Sequence, residues 1–360
     1  MNSRRTFIKK SGLFVLAGSL PFNYFLSQKK KKLGVALVGL GYYSRDILAP
    51  ALKQTDHCEL KGIVTGSPGK IPVWQKRYDI PDKNVYNYDN MHTISNNPDI
   101  DIVYIVLPNA MHKEYTIVGA NAGKHVWCEK PMAMTVQECR QMIDACQKNK
   151  VQLTVGYRMQ HEPVTQTIMG WRKTKPYGNI KTVLAEAGFY NRAGDPAHWK
   201  LHKELGGGAM LDMGVYPLNA ARYTTGMEPV AVSARTEFTR PDLFKADERT
   251  LFQLEFPEGI TANCKTSFAD SINTLKVTCD KGWYQLKPFQ AYGGVTGVTS
   301  DKQNLYAFTG NQQARQMDDD ALAIINKQPP LVPGEEGMRD IKVVEAIFKS
   351  TAQGGKRVLI

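Results

Sequence analysis

Leu33-Gly34-Val35-Ala36-Leu37-Val38-Gly39-Leu40-Gly41-Tyr42-Tyr43-Ser44 decides the fold of this 360-residue chain. An apolar run of strand length passes straight into Gly-x-Gly and then into a helical period over 44–54. The first glycine permits a tight turn, and the second lets a pyrophosphate approach the backbone at a helix N-terminus. Gly39, Leu40, Gly41, Tyr42 and Tyr43 are therefore candidate dinucleotide contacts. Ser44 replaces the third glycine, a change expected to loosen helix–strand packing slightly. Gly-x-Gly alone is a weak signal; between a first strand and a helix it is a good one.

Outward from this stretch, short β-rich runs at 33–39, 60–65, 102–106, 125–128 and 151–156 alternate with helical periods, among them 112–121 and 136–148. Apolar runs separated by helices predict a parallel sheet covered on both faces, a Rossmann domain over 33–156. The texture then changes. Longer alternating runs at 180–189, 230–238, 251–256, 261–268 and 274–278 predict a mostly antiparallel open sheet in a second α/β domain over 157–360. An amphipathic helix at 337–352 is expected to pack back on the first domain.

The net charge of +12 invites a nucleic-acid reading, but eight of the positive charges lie in the first 32 residues and no acidic residue precedes Asp46. Removing those eight leaves +4 for the remainder, too little for a phosphate-binding surface, so no nucleic-acid partner is expected. Ser3-Arg4-Arg5-Thr6-Phe7-Ile8-Lys9 followed by the short apolar run 12–22 reads as a twin-arginine export leader, placing the protein in the periplasm. An uncleaved leader would serve as an anchor; no run is long enough for a stable membrane span. The six cysteines show neither a CxxC pair nor a histidine at zinc spacing, so no disulfide and no metal are expected.

At the end of the second strand, 65–70 reads Thr-Gly-Ser-Pro-Gly-Lys, with no carboxylate to accept ribose hydroxyls. Ser67 and Lys70 stand there instead, favouring a 2′-phosphate and hence NADP over NAD. Two further strand tips, Leu107-Pro108-Asn109 with His112 after it, and Glu129-Lys130-Pro131, lie where ligands bind in open α/β sheets.

Taken in order with Gly156-Tyr157-Arg158, these motifs resemble the glucose–fructose oxidoreductase / inositol dehydrogenase family, in its glucose–fructose branch. The likeness extends through Trp199, the stretch 204–216 with Gly206-Gly207-Gly208 and Asp212, and the stretch 333–338. It implies hydride transfer between nicotinamide and a sugar or polyol hydroxyl, Lys130 at the reacting carbon, and Asp212 and Tyr216 completing the site. It also implies a homo-oligomer joined through the open sheet.

The chemistry fits these residue types. Alcohol oxidation needs a base for the hydroxyl proton. A free tyrosine has a pKa of about 10, and a lysine ammonium beside it favours the phenolate. Tyr216 is thus the expected acid/base, Lys130 its electrostatic partner and a substrate donor, and Asp212 the orienter of the sugar. Arg158 is expected near the nicotinamide or the substrate, and His161 and Trp199 along the sugar pocket. Two alternatives stay open: a nicotinamide-dependent glycoside hydrolase working by transient oxidation and elimination, and a non-catalytic sugar sensor.

Overall fold

The computed structural model describes residues 32–192, 195 and 197–360; the stretch read as an export leader, apart from Lys32, lies outside the described residues. β1 (Leu33–Val38) ends at the glycine turn, followed by a π-helical segment (Tyr43–Leu48) that runs into α1 (Ala49–Leu52). β2 (Cys58–Val64), α2 (Ile71–Tyr78), β3 (Val85–Tyr86), β4 (Ile102–Ile105), α3 (His112–Asn121), β5 (His125–Cys128), α4 (Val136–Lys148) and β6 (Leu153–Val155) complete the first layer set. Its sheet has the order β3-β2-β1-β4-β5-β6, all neighbours parallel. The order reverses between β1 and β4, which opens a crevice at their carboxyl ends. Both faces are buried: Val35 and Leu37 join one core cluster and Ala36 and Val38 the other.

After α5 (Pro163–Thr174), β7 (Ile180–Gly188) and α6 (Val215–Thr225) come β8 (Ala231–Glu237), β9 (Arg249–Glu255), β10 (Thr261–Ser267) and β11 (Ile272–Cys279). β12 (Gly282–Leu286), β13 (Gly297–Thr299), β14 (Asn304–Leu305), α7 (Gln312–Ile325), α8 (Gly334–Ala352) and β15 (Val358–Leu359) follow. The second sheet runs β14-β13-β12-β11-β7-β10-β9-β8-β15 and is antiparallel except between β7 and β10. Alternation in β7 buries Val183, Ala185 and Ala187 and leaves Leu184 exposed, so one face is covered by helix and the other is open.

One helix bridges the two sheets and another packs on the first. α8 packs against α4 and β6 of the first layer set and β8 of the second sheet. α7, which the hydrophobic pattern did not announce, puts Ala314, Met317 and Ala321 into the core beside Val35, Leu37, Tyr104 and Trp127. The fold brings its Asp318-Asp319-Asp320 run against groups outside the helix. Asp318 accepts the backbone N–H groups of Asp56 and His57, and Asp319 meets His161. Among the described residues no helix is long and apolar enough to cross a membrane.

Candidate active site

Gly39 has φ +94°, and a Cβ there would come within 2.3 Å of the Val106 carbonyl at the β4 end, so only glycine fits the turn. A Cβ on Gly41 would meet no atom within 4 Å, which leaves the approach to the backbone open. The helix beyond begins without a side-chain cap, so its first N–H groups are free to meet a pyrophosphate. Ser44 does not loosen this corner: its buried hydroxyl donates to the Gly39 carbonyl at 2.6 Å and staples the turn. At the β2 tip Ser67 and Lys70 are exposed, and Lys70 Nζ reaches back to the Leu40 carbonyl at 3.0 Å. Lys70 thus touches the turn, and the open backbone at Gly41 with the Ser67 hydroxyl and the Lys70 ammonium fits a dinucleotide.

The tips of β4 and β5 divide between contact and scaffold. His112 is wholly buried, its ring nitrogens 2.8 Å from the Pro131 carbonyl and 3.0 Å from that of Leu107. It ties the two tips together. Asn109 likewise spends its amide on the Gly206 carbonyl, at 2.6 Å. Leu107 and Pro108 shape the tip between them. Glu129 is buried, accepting from the Tyr104 hydroxyl at 2.6 Å; burial pushes its carboxyl above the usual range. In this arrangement His112 and Asn109 hold the tips in place, and Glu129 anchors the β5 tip to Tyr104.

Lys130, Asp212 and Tyr216 do converge. Lys130 Nζ donates to the Asp212 backbone carbonyl at 2.6 Å, stands 3.7 Å from its Oδ1, and lies 4.7 Å from the centre of the Tyr216 ring. Burial opposes charge on Lys130, but Tyr216, Asp212 and Glu129 outweigh it and hold the ammonium above its ordinary range. Asp212 and Tyr216 sit four residues apart on one helical face, across a π-helical segment (Met210–Gly214) that leads into α6. A residue without a motif joins them: Lys200 Nζ is 2.7 Å from Asp212 Oδ2. Burial would raise the Asp212 carboxyl, but Lys200 and Lys130 reverse this and hold it below the carboxylate range.

The triple glycine explains how this helix is placed. A Cβ on Gly206 would strike Asn109 Cβ and Met134 Sδ; on Gly207, the Trp199 and Lys200 carbonyls; on Gly208, Asp247 Oδ1 at 2.2 Å. Asp247, also unannounced by any motif, accepts the Met210 N–H at 2.7 Å and so caps the helix that presents Asp212.

Arg158 is 1% exposed. Its Nη1 donates to the Ala291 carbonyl and to Gln312 Oε1, both at 2.8 Å, and its guanidinium lies 5.5 Å from the Tyr216 ring and 5.0 Å from that of Tyr292. Arg158 thus stands as a buried cation beside the Tyr216 ring. Tyr292, from the loop after β12, also meets Tyr43 of the glycine turn at 5.7 Å. His161 is wholly buried against Asp319 of α7 and does not line a sugar pocket, whereas the half-buried Trp199 lies beside Lys200. Among the described residues no cluster could hold a metal ion, and all six cysteines are free and buried.

Residues 33–157 match an oxidoreductase family with an NAD-binding Rossmann fold, and residues 165–285 match the GFO/IDH/MocA C-terminal domain. The chain belongs to the GFO/IDH/MocA oxidoreductase family. It is accordingly an NAD(P)-dependent oxidoreductase. Members of this family similar to it include a D-xylose 1-dehydrogenase (NADP(+)) of Haloarcula marismortui, 26% identical over 88% of this chain and 90% of that protein. A D-glucoside 3-dehydrogenase of Escherichia coli is 25% identical over 91% of this chain and 97% of its own. The crystal structure of an aldose-aldose oxidoreductase from Caulobacter crescentus complexed with glycerol is 37% identical, with a TM-score of 0.88, over 92% of this chain and 100% of that one.

Proposed function

We propose that the protein is an exported oxidoreductase that uses NADP to move hydride to and from a hydroxyl of a sugar or polyol. The observation that carries this reading is the convergence of Lys130, Asp212 and Tyr216 beside the glycine turn. The sugar and glucoside substrates named for the relatives support the substrate class. Export is proposed from the paired arginines of the leader, and self-association through the uncovered face of the second sheet, where Leu184 is exposed.

The nicotinamide ring, when bound, supplies the hydride acceptor. The glycine turn, Ser67 and Lys70 would hold the dinucleotide, with the ring toward the β4 and β5 tips. Lys130 donates to the reacting oxygen, and Tyr216 takes the hydroxyl proton and returns it in the reverse direction. The negative charge that the Tyr216 oxygen carries before it takes the proton, and regains on returning it, is met by two cations near its ring, Lys130 and Arg158. Asp212 accepts from a neighbouring sugar hydroxyl and fixes the ring's orientation.

Denaturing the purified protein and identifying the released ligand by absorbance and mass, then assaying nicotinamide reduction against aldoses, tests the reading. Release of aglycone from aryl glycosides without net change in nicotinamide would replace it with the hydrolase reading. Cofactor choice has its own test. Lys70→Ala is expected to weaken NADP binding about tenfold, the loss of one charge-assisted contact of about 1.5 kcal/mol, and to leave NAD affinity unchanged. Equal loss for both dinucleotides would assign Lys70 to the turn alone.

A further inference from the structure

Asp212 is shared between two lysines that play unequal parts. Lys130 spends one of its three N–H donors on the Asp212 backbone carbonyl, and at 3.7 Å it makes no hydrogen bond to the carboxylate. Lys200 makes that bond, at 2.7 Å. We propose that Lys200 is a positioning residue of the alcohol-oxidising site: its ammonium holds one oxygen of Asp212, turns the other toward the sugar, and leaves the remaining Lys130 donors for the reacting oxygen. This deepens, and rests on, the sugar oxidoreductase reading.

Three features fix Lys200 in that role. Its ammonium lies 5.3 Å from the Phe189 ring and 5.8 Å from that of Trp199, so the stem runs through an aromatic notch. The Lys200 N–H meets His198 Nδ1 at 3.3 Å, and the Lys200 carbonyl accepts the Gly208 N–H at 2.9 Å. Gly207 packs so closely on that carbonyl that a Cβ would lie 2.5 Å from it. The Lys200 backbone is therefore locked to the triple glycine that opens the helix bearing Asp212. Without the Lys200 charge, Lys130 would be the nearest cation to a buried carboxylate and would be drawn into a direct pair, forfeiting donors to the substrate.

The charged and titratable groups facing Asp212 are Lys200 and His198 from the turn, Lys130 from the β5 tip, Tyr216 from its own helix and Tyr292 from the loop after β12. Lys200 is the strongest of the charges that lower the Asp212 carboxyl. Its removal should raise the midpoint of Asp212.

The test is a pH titration of the full chain labelled with ¹³C at aspartate carboxyls, the Asp212 resonance being assigned with Asp212→Asn. In wild type Asp212 is expected to titrate below the ordinary aspartate range. Lys200→Met and Lys200→Gln should move it up by about one unit or more, and Lys200→Arg should restore it. The acid limb of kcat/KM should move with it. Unchanged Asp212 midpoints in folded Met and Gln variants would overturn the proposal. A wild-type protein that reduces no nicotinamide with any sugar would instead overturn the functional reading, and the titration would still decide the role of Lys200.

Discussion

Tyr216→Phe is expected to lower kcat by about 10²–10⁴-fold while leaving dinucleotide binding and folding unchanged. The substitution removes one oxygen and keeps the ring, which is 9% exposed and lies against Lys130 and Arg158. Volume is conserved, so packing has little to lose. What disappears is the acceptor for the hydroxyl proton. Neither carboxylate nearby is placed to substitute: Asp212 is held ionised by two ammonium groups, and Glu129 is buried beneath the β5 tip with Tyr104 donating to it. The check is steady-state kinetics in both directions together with direct measurement of dinucleotide affinity. A kcat within about tenfold of wild type would take proton transfer away from Tyr216 and would favour a water-mediated route. Loss of dinucleotide affinity alongside kcat would show that the hydroxyl positions the cofactor.

The fold was legible in the sequence because it rests on local patterns. Alternating apolar runs and helices announce a parallel sheet, and Gly39 with Gly41 marks the turn at its first strand. Lys130 is marked by its place at a strand tip, whereas Asp212 and Tyr216 are marked by the family resemblance. Residues that act across the fold were not legible. Lys200 meets Asp212 only after the chain doubles back through the triple glycine, and Tyr292 meets Tyr43 from a loop 249 positions away. His112, Asn109 and Arg158 were assigned to ligands because polar residues at strand tips commonly touch them. In the fold His112 joins the carbonyls of Leu107 and Pro131, Asn109 donates to that of Gly206 across the domain junction, and Arg158 donates to that of Ala291. α7 was missed for the converse reason: three successive aspartates hide a helix whose acids find backbone and histidine partners.

The junction also sets the largest expected effect on stability. Arg222 of α6 is almost wholly buried, with Nε and Nη2 each 2.8 Å from Glu228, Nη1 3.0 Å from Glu336, and Nη1 bonded to Asp340 of α8. Burial opposes its charge, but Asp340, Glu228 and Glu336 outweigh that and push the guanidinium above its ordinary range. Arg222→Met would leave Asp340, which is fully buried, and Glu336 facing one another with no guanidinium between them. The expected cost is about 3–5 kcal/mol of folding stability, because an uncompensated buried charge is worse than no charge. Asn219, which donates to Asp340 at 2.9 Å, softens this only in part. Since α6 carries Tyr216 and α8 rests on β6 and α4, kcat should fall as well, although Arg222 touches no reactant. Adding Asp340→Leu to Arg222→Met removes one of the stranded charges and should recover much of the stability. Urea unfolding of the two variants beside wild type is the check. A single-variant loss below about 1 kcal/mol, or a double variant no more stable than the single, would show that water reaches this network and that the helices are held by their apolar contacts alone.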